Sequence, residues 1–263
     1  MSDAAQTRPS IINEWLDDLR LAVAFLTRIP MPHPDGALPS YFTRAHRVFP
    51  LIGAAIGAVV GLVQLALLAI GVPAFAAAAL ALGAGALLTG GLHEDGLADL
   101  GDGFGGGRDK AQKLEIMRDS RLGTFGALAL LVSFAAKVAA LAALPTSAIL
   151  PALVAAHALA RGVLPAMALA LPYARNDGLA ANAGRPEAPV AATAAAIAAA
   201  IAFICLPTTA AVLSALIAAA SAIGVSVLAM RQIGGQTGDV LGGAEQVAEL
   251  AVLLLLATWL PRA

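Results

Sequence analysis

The sequence predicts an all-α fold: a polytopic integral membrane bundle of about seven transmembrane helices (six to eight), forming one domain over residues 1–263. The 263-residue chain is 59% hydrophobic and only 13% charged, whereas soluble domains usually carry about 25% charged residues. Its mean hydropathy is +0.83. Several apolar stretches also reach the length of about 20 residues that a helix needs to cross ~30 Å of hydrocarbon.

The first predicted element is an amphipathic helix over residues 11–29. Glu14, Asp17, Asp18 and Arg20 interrupt its apolar residues, so this stretch is too polar to cross a bilayer. An amphipathic helix of this composition is expected to lie in the membrane interface.

Seven stretches that qualify as spans follow, at about 48–71, 73–91, 124–145, 147–171, 189–206, 208–230 and 245–260. In the first span, Gly53, Gly57 and Gly61 recur every four residues, a pattern that lets another helix approach closely. The fourth span carries His157 and Arg161 at i, i+4. Ionisable residues inside a membrane need partners and are candidates for function.

The connections between the spans are alternately short and polar. Loops 92–123, 173–188 and 231–244 are polar and glycine-rich, and alternate crossings place all three on the side of the N-terminus. That side holds 13 of the 16 Lys and Arg residues, so the positive-inside rule predicts that it faces the cytoplasm. The net charge of −1 gives no support for a nucleic-acid partner, which normally needs a basic face.

The predicted acidic loop contains the strongest functional signal. In GGLHEDGLADLGDGFGGG, Asp95, Asp99 and Asp102 stand at i, i+4 and i+7, which puts them on one face of a helix. If the second span continues for two turns beyond the membrane, the three carboxylates meet and a cation must offset their repulsion. Such oxygen ligands suit Mg²⁺, which usually binds a few carboxylates and substrate phosphates. A solvated acidic loop is the alternative.

Basic residues follow the carboxylates. The forked guanidinium groups of Arg118 and Arg121 suit phosphate oxygens. Carboxylates for a metal and cations for phosphates are the parts that phosphoryl transfer requires. Arg175, in the loop after the fourth span, and Arg28, after the amphipathic helix, are weaker phosphate candidates, and lipid headgroups are the alternative partner of Arg28.

Two further polar residues are candidates on the same side. Asp239 lies in the last glycine-rich loop, where it would complete a metal site or bind a substrate hydroxyl, or form part of a plain turn. His93 adjoins the acidic face and is a candidate proton acceptor or hydrogen-bond partner, although a histidine at a helix end often has only a structural role.

Five motifs occur in order between about residues 25 and 246: FLTRIPMP, GGLHEDGLADLGDGFGGG, EIMRDSRLGTFGALALL, LPYARNDGL and GGQTGDVLGGAEQ. Together they resemble the cobalamin synthase family, the adenosylcobinamide-GDP ribazoletransferases. Many members of that family have leucine where this chain has Glu94. The resemblance therefore leaves open whether Glu94 is a metal ligand beside the three aspartates.

The resemblance implies a multi-pass enzyme of a bacterial inner membrane, acting late in cobalamin (vitamin B12) synthesis with Mg²⁺ as cofactor. Its partners would be adenosylcobinamide-GDP, α-ribazole or α-ribazole 5′-phosphate, the lipid bilayer and other enzymes of the late pathway, and GMP would be released. Asp95, Asp99 and Asp102 would then hold Mg²⁺ at the diphosphate. Arg118 and Arg121 would neutralise phosphate charge, and a carboxylate or His93 would accept the proton of the attacking hydroxyl.

Two other functions compete with this interpretation. The CDP-alcohol phosphotransferases have the pattern D-x-x-D-G-x-x-A-R, but here Asp99 follows Ala98 where that family has arginine. A transporter or a corrinoid-binding module without catalysis is the second alternative. Transporters place polar groups near the membrane midplane, whereas the charges of this chain collect on one side.

Overall fold

The computed structural model of the protein describes residues 10–32, 39–175, 177–178 and 184–260. In this part of the chain the structure is helical, and its one β-type contact is a parallel bridge between Tyr173 and Gln236. The helices are α1 (Ile11–Leu26), α2 (Pro39–Ala45), α3 (Phe49–Ala69), α4 (Ala74–Thr89), α5 (Leu92–Gly106), α6 (Lys110–Ile116), α7 (Thr124–Ala143), α8 (Thr146–Gly162), α9 (Leu164–Ala170), α10 (Ala188–Cys205), α11 (Thr208–Ile233) and α12 (Gly238–Trp259).

Six helical segments of the described chain are long and apolar enough to cross a membrane: Phe42–Ala69, Thr124–Ala143, Thr146–Ala170, Ala188–Cys205, Thr208–Ile233 and Gly238–Trp259. The pair formed by α4 and α5, which bends by 95°, is a seventh candidate. The prediction of an all-α, multi-pass membrane protein is therefore confirmed.

The second predicted span does not continue as a straight helix into the acidic segment. α4 ends at Thr89, and Gly90 and Gly91 both adopt left-handed backbone conformations, with φ of 73° and 70°. Such conformations suit glycine because it has no Cβ. The acidic face is therefore carried by a new helix, α5, and the predicted loop 92–123 contains two helices. The acidic α5 turns away from α4 by 95°, so it does not prolong the axis of the apolar α4.

The last span also differs from its predicted bounds. α11 continues to Ile233 and α12 begins at Gly238, so the predicted glycine-rich loop 231–244 shortens to residues 234–237. The hydroxyl of Thr237 accepts a hydrogen bond from the Val240 N–H at 3.2 Å and caps α12. Glycines lower helix propensity, and they concealed this helix start in the sequence. Asp239 therefore lies in the first turn of a helix rather than in a flexible loop.

The small-residue face predicted on the first span packs against α8. A Cβ added at Gly53 would overlap the carbonyl oxygen of His157, and one at Gly57 would overlap that of Leu153. Small residues permit this close approach of two helix backbones. The contact fixes His157 inside the bundle.

The helix predicted over residues 11–29 is α1, which ends at Leu26. Its Asp18 is fully buried and accepts hydrogen bonds from Arg44 Nε at 2.9 Å and Arg47 Nε at 2.6 Å. Burial raises the pKa of Asp18, while the two guanidinium groups act to lower it. Ile11 and Ile12 are exposed, so α1 has an outward apolar face suited to the predicted interfacial position.

Candidate functional site

The acidic face of α5 lies where α5 crosses the first turns of α12. A Cβ added at Gly96 would lie 3.0 Å from Gly242 Cα and 3.1 Å from the Asp239 carbonyl oxygen. The two backbones are therefore in direct contact, and a side chain at this point would separate them. The crossing places Asp239 and Asp95 in the lining of one small pocket of about 100 Å³.

We call Asp95, Asp99 and Asp239 the acidic cluster. Partial burial raises the pKa of Asp99 to about 7, and the negative charges of Asp95, Asp239 and Asp102 act in the same direction. The guanidinium of Arg175 acts against them. Carboxylates that repel one another in this way are stabilised by a bound cation.

Arg175 approaches the acidic cluster from the loop after α9. Its Nη2 lies 3.5 Å from Asp239 Oδ2. The loop is held in place because the Gln236 N–H donates to the Pro172 carbonyl at 2.8 Å. A Cβ at Gly235 would overlap that same carbonyl oxygen. Three segments far apart in the sequence therefore contribute to the cluster: α5, the start of α12 and the loop after α9.

Asp102 lies on the predicted face of α5, but its carboxylate accepts hydrogen bonds from two backbone N–H groups. Oδ2 accepts a hydrogen bond from the Gly123 N–H at 2.7 Å, and Oδ1 accepts one from the Gly126 N–H at 2.8 Å. The first N–H groups of a helix have no partner within it, so Asp102 completes the start of α7. The metal contact predicted for Asp102 stays a prediction and would use its remaining lone pairs.

Arg118 and Arg121, the first candidates for phosphate binding, are exposed and paired with carboxylates. Arg118 Nη2 lies 2.5 and 2.6 Å from the two oxygens of Asp177. Arg121 Nη2 lies 2.5 Å from Asp119 Oδ2, and its side chain is 88% exposed. Hydrogen bonds from Arg121 lower the pKa of Asp119 and raise that of Arg121 itself. A phosphate would have to displace a carboxylate from each arginine, and their phosphate role stays a prediction.

Arg28 lies at the corner between α4 and α5. Its backbone N–H donates to the Leu88 carbonyl at 2.8 Å, and its Nε packs where a Cβ of Gly90 would lie, at 2.7 Å. Arg28 lines a groove of about 670 Å³ together with Glu94 and Asp95. The second of the two weaker phosphate candidates therefore lies at the edge of the acidic face.

His93 faces a buried ionic network. Its Nδ1 lies 3.3 Å from Arg161 Nη2 and 3.5 Å from Glu245 Oε2, and its side chain is buried. Glu94 lines the groove beside Arg28 and also a deeper cavity. The roles of proton acceptor for His93 and metal ligand for Glu94 stay predictions.

The buried ionic network joins α5, α7, α8 and α12, and the sequence indicated only part of it. Lys137 Nζ lies 2.7 Å from Glu249 Oε1, and Arg161 Nη1 lies 2.5 Å from Glu245 Oε1. His157 Nδ1 lies 3.1 Å from Glu249 Oε2. The sequence contained one signal for the rest: His157 and Arg161 on one span and Glu245 and Glu249 on another both stand at i, i+4. Ionisable residues inside a membrane need partners, so these opposite charges are expected to pair.

Two places in the described chain have the donors for a cation. Ligand atoms of His157, Glu245 and Glu249 all lie within 4.8 Å of one another, but Lys137 and Arg161 balance these two carboxylates without a metal. In the acidic cluster, Arg175 lies 3.5 Å from Asp239, and the charges of Asp95, Asp239 and Arg175 all act on Asp99. The cluster is looser, and this suits Mg²⁺, which keeps several waters and substrate phosphates among its ligands and takes one or two protein carboxylates.

Most of the chain is similar in sequence to a known protein family and to named bacterial proteins. Residues 18–257 match the model of the family described as cobalamin-5-phosphate synthase. The adenosylcobinamide-GDP ribazoletransferase of Bradyrhizobium diazoefficiens is 41% identical over 249 residues, covering 94% of this chain and 96% of that protein. The protein of the same name from Sinorhizobium medicae is 43% identical over 261 residues, covering 94% and 98%. No solved structure shows a significant match.

Proposed function

The chain belongs to the cobalamin-5-phosphate synthase family, and we propose that it joins adenosylcobinamide-GDP to α-ribazole or α-ribazole 5′-phosphate, releasing GMP. It is a multi-pass membrane transferase of cobalamin synthesis. One observation carries the proposed chemistry. Asp99 is influenced by the charges of Asp95, Asp239 and Arg175, and Arg175 lies 3.5 Å from Asp239, so carboxylates suited to a metal stand beside a donor for phosphate.

The acidic cluster is the proposed Mg²⁺ site. Asp95, Asp99 and Asp239 would hold the ion, and this all-oxygen, strongly negative donor set fits its preference. When bound, Mg²⁺ supplies neutralisation of the diphosphate charge and alignment of the reacting oxygens. Arg175 at the cluster and Arg28 in the adjoining groove offer forked N–H donors to phosphate oxygens.

The proposed reaction is an in-line substitution at phosphorus. A ribose hydroxyl oxygen of the acceptor forms a bond to the corrinoid-side phosphorus, while the bond from that phosphorus to the bridging oxygen breaks. The bridging oxygen leaves as part of GMP. The hydroxyl proton passes to a carboxylate of the acidic cluster, of which Asp95 is the exposed member, or to His93, which is buried within the ionic network.

We further propose a bacterial inner-membrane location, with α5 and the polar connections facing the cytoplasm. Arg108, Lys110, Arg118 and Arg121 lie in the connection that holds the acidic helix. Such an enrichment in Lys and Arg is typical of cytoplasmic loops. A cytoplasmic site gives access to a soluble nucleotide-activated donor and to other enzymes of the late pathway.

The proposal is tested by measuring GMP release from purified, detergent-solubilised protein. The protein is given adenosylcobinamide-GDP and α-ribazole 5′-phosphate, with Mg²⁺ in one series and with EDTA in the other. We expect GMP and a cobalamin product in equal amounts, only with Mg²⁺. Equal turnover in EDTA would refute the metal role, and the lack of any product from folded protein would refute the proposed substrates.

A further inference from the structure

A cavity of about 350 Å³ lies beside the proposed active site, between α3, α4, α7, α8 and α12. Glu94 of α5 lines both this cavity and the groove that contains Asp95 and Arg28. A molecule in the cavity therefore lies next to a molecule bound in the groove. The proposed transfer reaction assigns no role to this space.

The cavity has walls of two kinds. Val60, Leu82 and Phe134 contribute apolar surface from α3, α4 and α7. Lys137 and His157 contribute polar groups on the side of the buried ionic network. A pocket that is mostly apolar and has a few placed polar groups is typical of a site for a small organic ligand.

A buried nitrogen on the polar side lacks a hydrogen-bond partner. Nε2 of His157 has none within the described chain, although it is shielded from solvent. The other ring nitrogen, Nδ1, lies 2.9 Å from Arg161 Nη1 and 3.1 Å from Glu249 Oε2. Nδ1 is engaged by the network and His157 lines the cavity, so Nε2 is the ring nitrogen that remains for a further partner. Buried polar groups without partners are rare in proteins, so the free Nε2 points to a ligand.

We infer that this cavity binds the aromatic heterocyclic base of the acceptor nucleoside. The flat faces of the base would contact Val60 and Phe134. Its free ring nitrogen would accept a hydrogen bond from His157 Nε2–H, with Nδ1 accepting one from Arg161. The inference rests on the proposed function, which supplies the acceptor. The ribose then lies at the mouth near Glu94, from which a hydroxyl reaches the acidic cluster.

Other occupants fit the cavity less well. A corrin macrocycle with its amide side chains is larger than a space of about 350 Å³. A lipid acyl chain matches the apolar wall, but it has no polar atom for His157 Nε2 and would leave that nitrogen unpaired. A bicyclic base with one free ring nitrogen satisfies both walls.

The test measures binding of radiolabelled α-ribazole by equilibrium dialysis in detergent, without donor or Mg²⁺. Ala86→Leu adds volume to the cavity from α4. Ala84→Leu is the matched control, because Ala84 and Ala86 both line an outer groove of α4 but only Ala86 also lines the cavity. We expect Ala86→Leu to weaken binding by about tenfold or more, and Ala84→Leu to bind like the wild type. Equal binding by both variants would overturn the inference.

A second measurement tests the hydrogen bond to His157. The ligand is an analogue of α-ribazole in which a C–H replaces the free ring nitrogen. We expect the wild type to bind this analogue about tenfold more weakly than α-ribazole, and His157→Gln to bind the two ligands more equally. Equal affinities in the wild-type protein would overturn the proposed contact, and this outcome does not depend on whether His157→Gln folds.

The two proposals fail in distinguishable ways. If the wild type binds α-ribazole but produces no GMP with the donor and Mg²⁺, the proposed function fails and the base site stands. If the wild type produces GMP and Ala86→Leu keeps the wild-type KM for the acceptor, the base site fails and the proposed function stands.

Discussion

Gly96 of α5 and Gly242 of α12 are in contact through their backbones, with 3.0 Å between Gly242 Cα and the position of a Cβ on Gly96. Asp95 directly precedes Gly96, Asp239 lies one turn before Gly242, and the two aspartates line one pocket. The distance between these carboxylates therefore depends on the absence of a side chain at the crossing.

We expect Gly96→Ala to move α5 away from α12, because the obstructing atoms belong to the backbone and cannot rotate aside. A displacement of about 1 Å in an active site can cost about 10²-fold in rate, and we expect a loss of this order in GMP release. Gly224→Ala on α11 is the control, since a Cβ there meets no atom within 4 Å. Wild-type turnover in Gly96→Ala would contradict the expectation.

Asp99→Asn removes a carboxylate that the structure places among like charges. Burial and repulsion raise the pKa of Asp99, which means that its charged form is unfavourable in the folded protein. Removing this charge should therefore leave the unfolding temperature unchanged or raise it. Turnover should nevertheless fall by about 10²-fold or more, because the metal site loses a ligand. GMP release and thermal unfolding in detergent measure the two effects. Asp17→Asn, at a partly exposed ion pair on α1, is the control, and retained activity in Asp99→Asn would remove Asp99 from the mechanism.

Asp102 should behave differently from its neighbours on α5. Its two hydrogen bonds to Gly123 and Gly126 cap the start of α7, and loss of a helix cap costs about 0.5–2 kcal/mol. We therefore expect Asp102→Ala to lower the unfolding temperature, and Asp95→Ala, at an exposed position, to lower turnover without this loss of stability. If Asp102→Ala instead kept its unfolding temperature and needed more Mg²⁺, its main role would be that of a ligand.

The sequence predicted the parts of the site that depend on local spacing. Asp95 and Asp99 share a face because of helical periodicity, and that prediction holds although α5 is a separate helix. The start of α12 was not predicted, because glycines at positions 238, 242 and 243 are typical of a loop. In the structure, Gly242 and Gly243 are instead contact points with α5. Asp239 consequently appeared to be a loop residue.

The contacts of the arginines could not be predicted from local spacing. Arg175 reaches Asp239, which is 64 residues further along the chain, because the loop after α9 pairs with Gln236. This pairing is a tertiary contact. Arg118 likewise pairs with Asp177, which is distant in sequence. The motif that seemed most suited to phosphate therefore holds two loops together, and the weaker candidate lies at the acidic cluster.

Substitutions of Arg175 and Arg121 test which of these two arginines binds phosphate. We expect Arg175→Ala to lower GMP release by about 10²-fold, because it removes a cation 3.5 Å from the acidic cluster that would stabilise phosphate charge. Arg121→Ala should change turnover little, since the Arg121 guanidinium is exposed and bound to its neighbour Asp119. Both variants are compared at saturating donor and Mg²⁺. A greater loss in Arg121→Ala would return the phosphate role to the residue first predicted.

The buried pair of Lys137 and Glu249 allows a test of stability that does not depend on turnover. The two side chains lie 2.7 Å apart and are almost completely buried. Removing one partner of such a pair leaves an uncompensated charge and costs about 3–5 kcal/mol. We expect Glu249→Gln and Lys137→Met each to lower the unfolding temperature strongly, as measured by thermal unfolding in detergent.

The double variant, Lys137→Met with Glu249→Gln, should lose less stability than the sum of the two single losses. With both charges absent, no unpaired ion remains in the bundle, and the coupling appears as a positive deviation in the double-mutant cycle. Asp17→Asn serves again as the control, because exposed pairs contribute about 0–1 kcal/mol. Additive losses would show that Lys137 and Glu249 do not stabilise each other, and His157 and Gln246 would then have to provide the compensating contacts of each charge.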